Sequence, residues 1–227
     1  MSDFFNIIYE DHVKREIEDR KKPEKKHDYE VADNMLAELN QLNLGRELHY
    51  CEDLIIYTVT DKRAIPILKK YIVQFDHVGI VLNLVNNQLG LKGYKDCTEF
   101  LIKLFYSLEK RGERFDSVCE SFDNAFFKIK DKRFIDTYLE LISAPKYIDK
   151  FYLLLEQLSK WHIEEALPIA AERVKYDKLP GAAIKALGNY AEPKYAYLIE
   201  PHLNSEKPYI RQLAKKTLDK MQSVNQP

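Results

Sequence analysis

The stretch Asp61-Lys62-Arg63, followed at once by Ala64-Ile65-Pro66-Ile67, decides the predicted fold because both parts of it recur. The tripeptide returns 70 residues later as Asp131-Lys132-Arg133, and the apolar part returns 102 residues later as Ala166-Leu167-Pro168-Ile169. Both distances are multiples of a unit of about 34 or 35 residues, a period that is typical of stacked helical repeats. The sequence therefore predicts a solenoid, which presents one long concave surface.

The composition favours helices over strands. The 227 residues include only 7 glycines and 9 prolines, whereas sheets need many turns built from such residues. Leu, Lys, Glu, Ile and Ala dominate, and these residues favour helices. Strict alternation of apolar and polar residues, the pattern of a half-buried strand, does not extend over any useful length. We therefore predict an all-α protein.

Apolar spacing places the predicted helices. Five helix pairs are expected, with second helices starting near residues 61, 96, 131, 164 and 193 and first helices over 46–59, 76–89, 114–129, 147–160 and 180–190. Helices over 4–22 and 29–41 precede the pairs, and a helix over 207–221, with one polar face, closes the array as a cap. The predicted domains are 1–43, which holds the N-terminal helices and a basic linker, and 44–227, which holds the repeats.

Two local signals support these boundaries. Asp61 suits a helix N-cap because its carboxylate can accept from a free backbone N–H, and Pro66 lies early in the helix that follows. The basic run at 20–26 ends the leading helix near Pro23. This run is interpreted as a solvated helix end, with contact to nucleic acid or acidic lipid as the alternative.

The C-terminal third resembles HEAT repeats, in the short bacterial variety related to those of phycobilisome lyases. The resemblance rests on the stretch 180–188, Pro-Gly-Ala-Ala-Ile-Lys-Ala-Leu-Gly, on the turn Ala191-Glu192-Pro193, and on Ile210, Arg211, Ala214 and Leu218. It implies a right-handed α-α superhelix in which first helices line the convex side and second helices line the concave side. Tetratricopeptide repeats have a similar length, but their Leu-Gly-x-x-Tyr spacing is not met, because Tyr190 follows Gly188 by two residues.

Charge and cysteine content limit the partners and the compartment. The net charge is −1, from 35 basic and 36 acidic side chains, so no overall field attracts nucleic acid. Cys51, Cys97 and Cys119 are few and widely separated, which predicts buried free thiols. Residues 1–6 lack the features of a secretory signal, and no stretch is long and apolar enough to span a membrane. A cytoplasmic protein without a membrane contact is expected.

Motifs that carry chemistry are missing. The sequence has no glycine-rich phosphate loop, no Gly-x-Ser-x-Gly and no His-Glu-x-x-His, and its six histidines are scattered. We therefore expect no catalytic residue, no metal and no cofactor. The group of Trp161, His162, Glu164 and Glu165 is interpreted as a turn with acids favoured near a helix start, with an acid/base or recognition cluster as the alternative.

The predicted function is a non-catalytic scaffold, adaptor or regulator that binds another protein. Tyrosines are enriched at interfaces, and several of them crowd the C-terminal repeats. The residues predicted to line the concave face are Arg63, Lys70, Arg133, Asp136, Glu172, Arg173, Tyr197 and His202. The alternative is an alkylpurine DNA glycosylase or another nucleic-acid-binding enzyme built on HEAT-like repeats. A protein similar to the phycobilin lyases is a third possibility, since a fold does not fix a function.

Overall fold

The computed structural model describes residues 2–112, 114–176 and 180–223, with the side chains of 2–8 and 56 left aside. These residues form thirteen α-helices joined by short 3₁₀ turns, one π-helical segment and irregular loops, and they contain no β-strand. The prediction of an all-α protein is confirmed.

The chain divides into two compact units, 1–129 and 130–227. The α-helices of the first unit are α1 (Ser2–Asp19), α2 (Lys26–Asn40), α3 (Asp53–Ile56), α4 (Ala64–Ile72), α5 (Val78–Leu84), α6 (Thr98–Arg111) and α7 (Phe115–Ile129). Helix α5 continues directly into the π-helical segment Val85–Leu89, and 3₁₀ turns occupy Pro23–Lys25 and Lys95–Cys97. The boundary predicted between residues 43 and 44 lies within this unit and stays a prediction.

The second unit contains the remaining six α-helices. They are α8 (Ile135–Ser143), α9 (Tyr152–Lys160), α10 (Ala166–Arg173), α11 (Pro180–Tyr190), α12 (Ala196–Ile199) and α13 (Pro208–Ser223). The 3₁₀ turns are Lys132–Phe134, Pro145–Tyr147, Pro193–Tyr195 and Glu200–Asn204. The predicted second-helix starts near 131, 164 and 193 therefore fall within two residues of a helix or 3₁₀ turn.

The two Asp-Lys-Arg sequences adopt the same local structure. The Oδ1 atom of Asp61 accepts from the backbone N–H of Arg63 at 2.9 Å, and Oδ1 of Asp131 accepts from that of Arg133 at 3.2 Å. The guanidinium group of each arginine also donates to the same carboxylate. Asp131 thereby caps the 3₁₀ turn Lys132–Phe134, whereas Asp61, predicted as the N-cap of the next helix, lies in the turn before α4, whose N-cap residue is Arg63.

Helices α9, α11 and α13 pack in series in the second unit. Helix α9 contacts α11, α11 contacts α13, and α10 packs against both α9 and α11. A glycine lies at the contact between α11 and α13, where a Cβ atom at Gly188 would lie 3.0 Å from Oγ1 of Thr217. In the first unit, α7 packs on the π-helical segment. A Cβ atom at Gly90 would lie 2.6 Å from Cβ of Ala125 on α7.

The prediction of a helix over 46–59 is wrong. Only α3, four residues long, is α-helical there, and the flanking stretches are loops. Side-chain amides bind the backbone instead: Asn40 accepts from the N–H of Leu48 and donates to its carbonyl, each at 2.8 Å. Buried Gln88 accepts from the N–H of Val59 at 2.9 Å and donates to the carbonyl of Tyr57 at 2.9 Å. Such bonds compete with helix formation because they occupy the groups that a helix would pair.

The three cysteines are free and buried, as predicted. Burial raises the pKa of the Cys51 and Cys97 thiols, so both stay protonated near neutral pH.

None of the helices in the described ranges is both long enough and apolar enough to cross a membrane.

Candidate functional site

The two predicted site residues of the first unit, Arg63 and Lys70, are exposed, and each is paired with a carboxylate. Nη2 of Arg63 lies 2.6 Å from Oδ2 of Asp61 and 3.1 Å from the carbonyl oxygen of Leu42. Lys70 pairs with Glu38, and its hydrogen bond to that carboxylate holds the pKa of Glu38 below its usual value. Both cations are therefore compensated by acids of their own unit.

The basic run at the end of α1 is compensated in the same way. Arg20 donates to Glu16 at 2.8 Å and to Asp33 at 2.8 Å. Lys22 and Lys25 both pair with Asp19, which lowers the pKa of that carboxyl group. This arrangement agrees with the interpretation of the run as a solvated helix end, because its charges are matched by local acids.

In the second unit, Arg133 is exposed and forms an ion pair with Asp131, whose side chain is buried. Asp136 on α8 and Glu172 on α10 are exposed and form no ion pair with residues in the described ranges. Helices α8 and α10 contact one another. Helices α8 and α10 thus each carry an exposed carboxylate at these positions.

Arg173 was predicted to lie on the binding surface, and this placement is wrong. Its side chain is 0% exposed, and Nη2 donates to the carbonyl oxygens of Ile142 at 2.6 Å and Tyr147 at 3.0 Å. Nη1 donates to the carbonyl of Lys150, and the guanidinium carbon lies 5.5 Å from the ring centroid of Tyr152. Arg173 therefore holds the segment between α8 and α9 against the end of α10, and its side chain is not accessible to a partner.

His202 and Tyr197 differ in exposure. Nε2 of His202 lies 3.2 Å from the carbonyl oxygen of Val174, which ties the turn Glu200–Asn204 to the end of α10. Tyr197 on α12 is 64% exposed, the largest exposed fraction of any large hydrophobic side chain in the described part of the chain. Of the two, Tyr197 has the accessible surface that an interface requires.

Other exposed apolar side chains accompany Tyr197. Four of the seven large hydrophobic side chains exposed in the described ranges come from the segment between α10 and the start of α13, and we refer to them as the C-terminal apolar set: Tyr176, Tyr197, Leu203 and Tyr209. Apolar spacing over the second helix of the predicted fifth pair would bury Leu203, but the residue lies in the 3₁₀ turn after α12 and is exposed. Pro201 is the available signal, because a proline at that position disfavours continuation of the α-helix.

The Trp161 group forms a turn. Trp161 follows the last residue of α9, and His162 has a φ of 55°, in the left-handed region. The rings of His162 and Tyr190 meet edge to face with centroids 5.9 Å apart. The hydroxyl of Tyr190 donates to the carbonyl of Ile163, and burial raises the pKa of Tyr190 to about 12. Tyr190 thus fills the space between α11 and this turn.

Comparisons with protein-family models, with curated proteins and with solved structures find no match to this chain. Within the ranges that the structure describes, no group of three or more His, Cys, Asp or Glu residues is placed to hold a metal ion. The class that the structure defines is an all-helical protein of two compact units with exposed tyrosines in the second.

Proposed function

We propose that this protein is a binding scaffold built as a HEAT-like solenoid, and that its second unit recognises another protein. The observation that carries the proposal is the C-terminal apolar set. Tyr197 and Tyr209 are 64% and 55% exposed. Burial of their apolar ring surface in a complex would contribute favourable free energy to binding. Tyrosine is enriched in interface cores because it joins a large apolar ring to a polar tip.

Two features of the packing support the repeat architecture. The serial contacts from α9 to α11 and from α11 to α13 are those expected when each helix pair packs on the next. Gly188 lies in the Ala-Leu-Gly sequence of the HEAT resemblance and faces Thr217 of α13 across a contact that leaves little room for a Cβ atom. In a solenoid of this kind, α8, α10 and α12 form the concave side.

The charges of these helices indicate the chemistry of the partner. Asp136 and Glu172 are exposed on α8 and α10 without an ion pair in the described ranges. A partner that presents basic side chains beside apolar ones complements this surface, and lysine or arginine can also stack on exposed tyrosine rings. Binding is expected to weaken moderately as salt is raised, because only the charged part of the interface is screened.

The test is affinity purification of the tagged full-length chain, with quantification of bound proteins. A double variant, Tyr197→Ser with Tyr209→Ser, is expected to lose the stoichiometric partner because both rings are removed from the interface. The matched control is Lys215→Ser with Lys216→Ser, which changes two exposed residues of α13 and should retain the partner. Circular dichroism checks that both double variants keep the helical content of the parent.

Two results would overturn the proposal. One is a partner that the tyrosine double variant binds as tightly as the parent. The other is release of an alkylated base from duplex DNA by the purified protein, together with DNA binding that weakens steeply with salt, which would favour the glycosylase alternative.

A further inference from the structure

An open pocket of about 300 Å³ lies in the first unit. Its walls are the loop after α2 and the loop between α3 and α4, and its lining residues are Asn43, Leu44, Arg46, Leu48, Tyr57 and 58–61. The volume is at the lower end of the range of small-molecule sites. The pocket exists because the helix predicted over 46–59 does not form, so that two loops face each other across the space.

The walls of the pocket are fixed before any ligand arrives. Asn40 binds both backbone groups of Leu48, and Gln88 binds the backbone of Tyr57 and Val59. The hydroxyl of Tyr94 donates to the carbonyl of Thr60 at 3.1 Å. Gln88 belongs to the π-helical segment, and such segments are frequent at functional sites. A site built in this way binds its ligand without first having to order its loops.

Arg46 is the uncompensated charge of this pocket. Its guanidinium carbon lies 3.4 Å from the ring centroid of Tyr57, and it forms no hydrogen bond or ion pair with any residue in the described ranges. Asp61, the acid of the lining, is already paired with Arg63. The nearby carboxylate of Asp53 is buried and accepts from the Tyr9 hydroxyl and from two backbone N–H groups. The planar donors of Arg46 are thus held in place by stacking and remain available.

We propose that this pocket binds the carboxylate of a small organic acid. A guanidinium group presents parallel N–H donors that match the two oxygens of a carboxylate, and stacking on Tyr57 fixes their plane. One uncompensated positive charge matches a monoanion better than the higher charge of a phosphate. The apolar side chains of Leu44, Leu48 and Val59 provide contacts for the organic part of the ligand.

The test is an NMR titration of the full-length protein with benzoate, with the neutral amide benzamide as the matched probe and inorganic phosphate as the competing anion. Saturable shifts of amides in 43–48 and 57–61 are expected with benzoate, with weaker binding of benzamide and phosphate. Arg46→Gln should weaken benzoate binding about tenfold or more, because it removes a charge-assisted contact. Arg46→Lys, which keeps the charge but not the planar pair of donors, should give an intermediate loss.

The control is Arg15→Gln, which removes another exposed arginine of the same unit and should leave the affinity unchanged. Thermal unfolding verifies that each variant is folded. If Arg46→Gln does not fold, the binding test uses Arg46→Lys instead. The proposal is overturned if benzoate gives no saturable shifts, or if it binds Arg46→Gln as tightly as the parent. Benzamide binding equal to that of benzoate, or phosphate binding tighter than benzoate, would also overturn it.

Discussion

Residues 46–59 and residues 152–173 carry the same kind of apolar spacing but adopt different backbones. In the later region the spacing produces α9 and α10, with Leu154, Leu155 and Leu158 buried on one face. In the earlier region Leu48 and Leu54 are also buried, yet only α3 is helical. Apolar spacing therefore predicts which side chains are buried more securely than it predicts the backbone that buries them.

The polar groups inside the two regions explain the difference. Around residues 46–59, Asn40 and Gln88 bind backbone N–H and carbonyl groups of the loops. In the later region Arg173 donates to the carbonyls of Ile142, Tyr147 and Lys150, which lie at and beyond the end of α8. Helix α9 itself forms over Tyr152–Lys160. Where a buried side chain takes both a donor and an acceptor of the backbone, a loop replaces a helix and a pocket opens.

The largest effect is expected at Arg173. Arg173→Met removes the guanidinium donor to the carbonyls of Ile142, Tyr147 and Lys150, and we expect a loss of about 3 to 5 kcal/mol of unfolding free energy. Urea unfolding measures the loss, and hydrogen exchange should show reduced protection in α8 to α10. Arg211→Met is the matched control, because that arginine also donates to two backbone carbonyls but is exposed, so its loss should cost less than about 1 kcal/mol. Equal losses in the two variants would show that Arg173 does not hold this region together.

A smaller effect is expected at Gln88 in the first unit. Gln88→Leu removes the donor to the Leu54 and Tyr57 carbonyls and the acceptor for the Val59 N–H, at an expected cost of about 2 kcal/mol. Amides at 57–60 should exchange faster with solvent. Gln41→Leu, at an exposed position after α2, is the control and should stay within about 0.5 kcal/mol of the parent. Unchanged exchange at 57–60 in Gln88→Leu would contradict the role assigned to the amide.

Arg173 and Gln88 show which structural features the sequence could not predict. A helix soon after Asp61 could be predicted, because a turn residue and the apolar spacing after it are local signals, but α4 begins at Ala64 and its N-cap residue is Arg63 and not Asp61. The burial of Arg173 could not, because its acceptors at 142, 147 and 150 lie more than one helix away in the chain. Gln88 follows two other amide residues, Asn86 and Asn87, and nothing local distinguishes it, because its partners are about thirty residues earlier.

The residues of the candidate sites also differ in whether the sequence could predict them. Tyr197 could be predicted to be exposed, because it falls between the apolar positions of its helix. Arg46 was not among the predicted site residues, although it is the charge that faces the pocket. Arg46 faces the pocket because a loop forms where a helix was expected. The sequence signal for this loop is the presence of Asn43 and Gly45, residue types that readily adopt positive φ and do so here.

The smallest effect is the difference in stability loss between alanine variants of the two Asp-Lys-Arg sequences. Asp131→Ala is expected to cost about 2 kcal/mol because its carboxylate is 1% exposed, so the lost hydrogen bonds are not replaced by water. Asp61→Ala should cost less, because water reaches that carboxylate. Thermal unfolding of the two variants in one buffer makes the comparison. A larger loss at Asp61 than at Asp131 would contradict the importance given to burial.

The contribution of Asp61 also depends on pH. The hydrogen bond from Arg63 lowers the pKa of Asp61 below its ordinary value of 3.8. A group whose pKa is lower in the folded state stabilises the fold above its unfolded pKa, and this stabilisation is lost as the pH falls through the folded value. The difference between the parent and Asp61→Ala should therefore disappear in strong acid.

The central claim is that side-chain amides replace a predicted helix with two loops and so create the Arg46 pocket. The most direct measurement is the set of backbone carbon chemical shifts over 46–60 in the full-length protein. We predict helical shifts only at 53–56, with loop values at 46–49 and 57–60. Continuous helical shifts from 46 to 59 would contradict the account, because a helix there would leave the pocket without its walls.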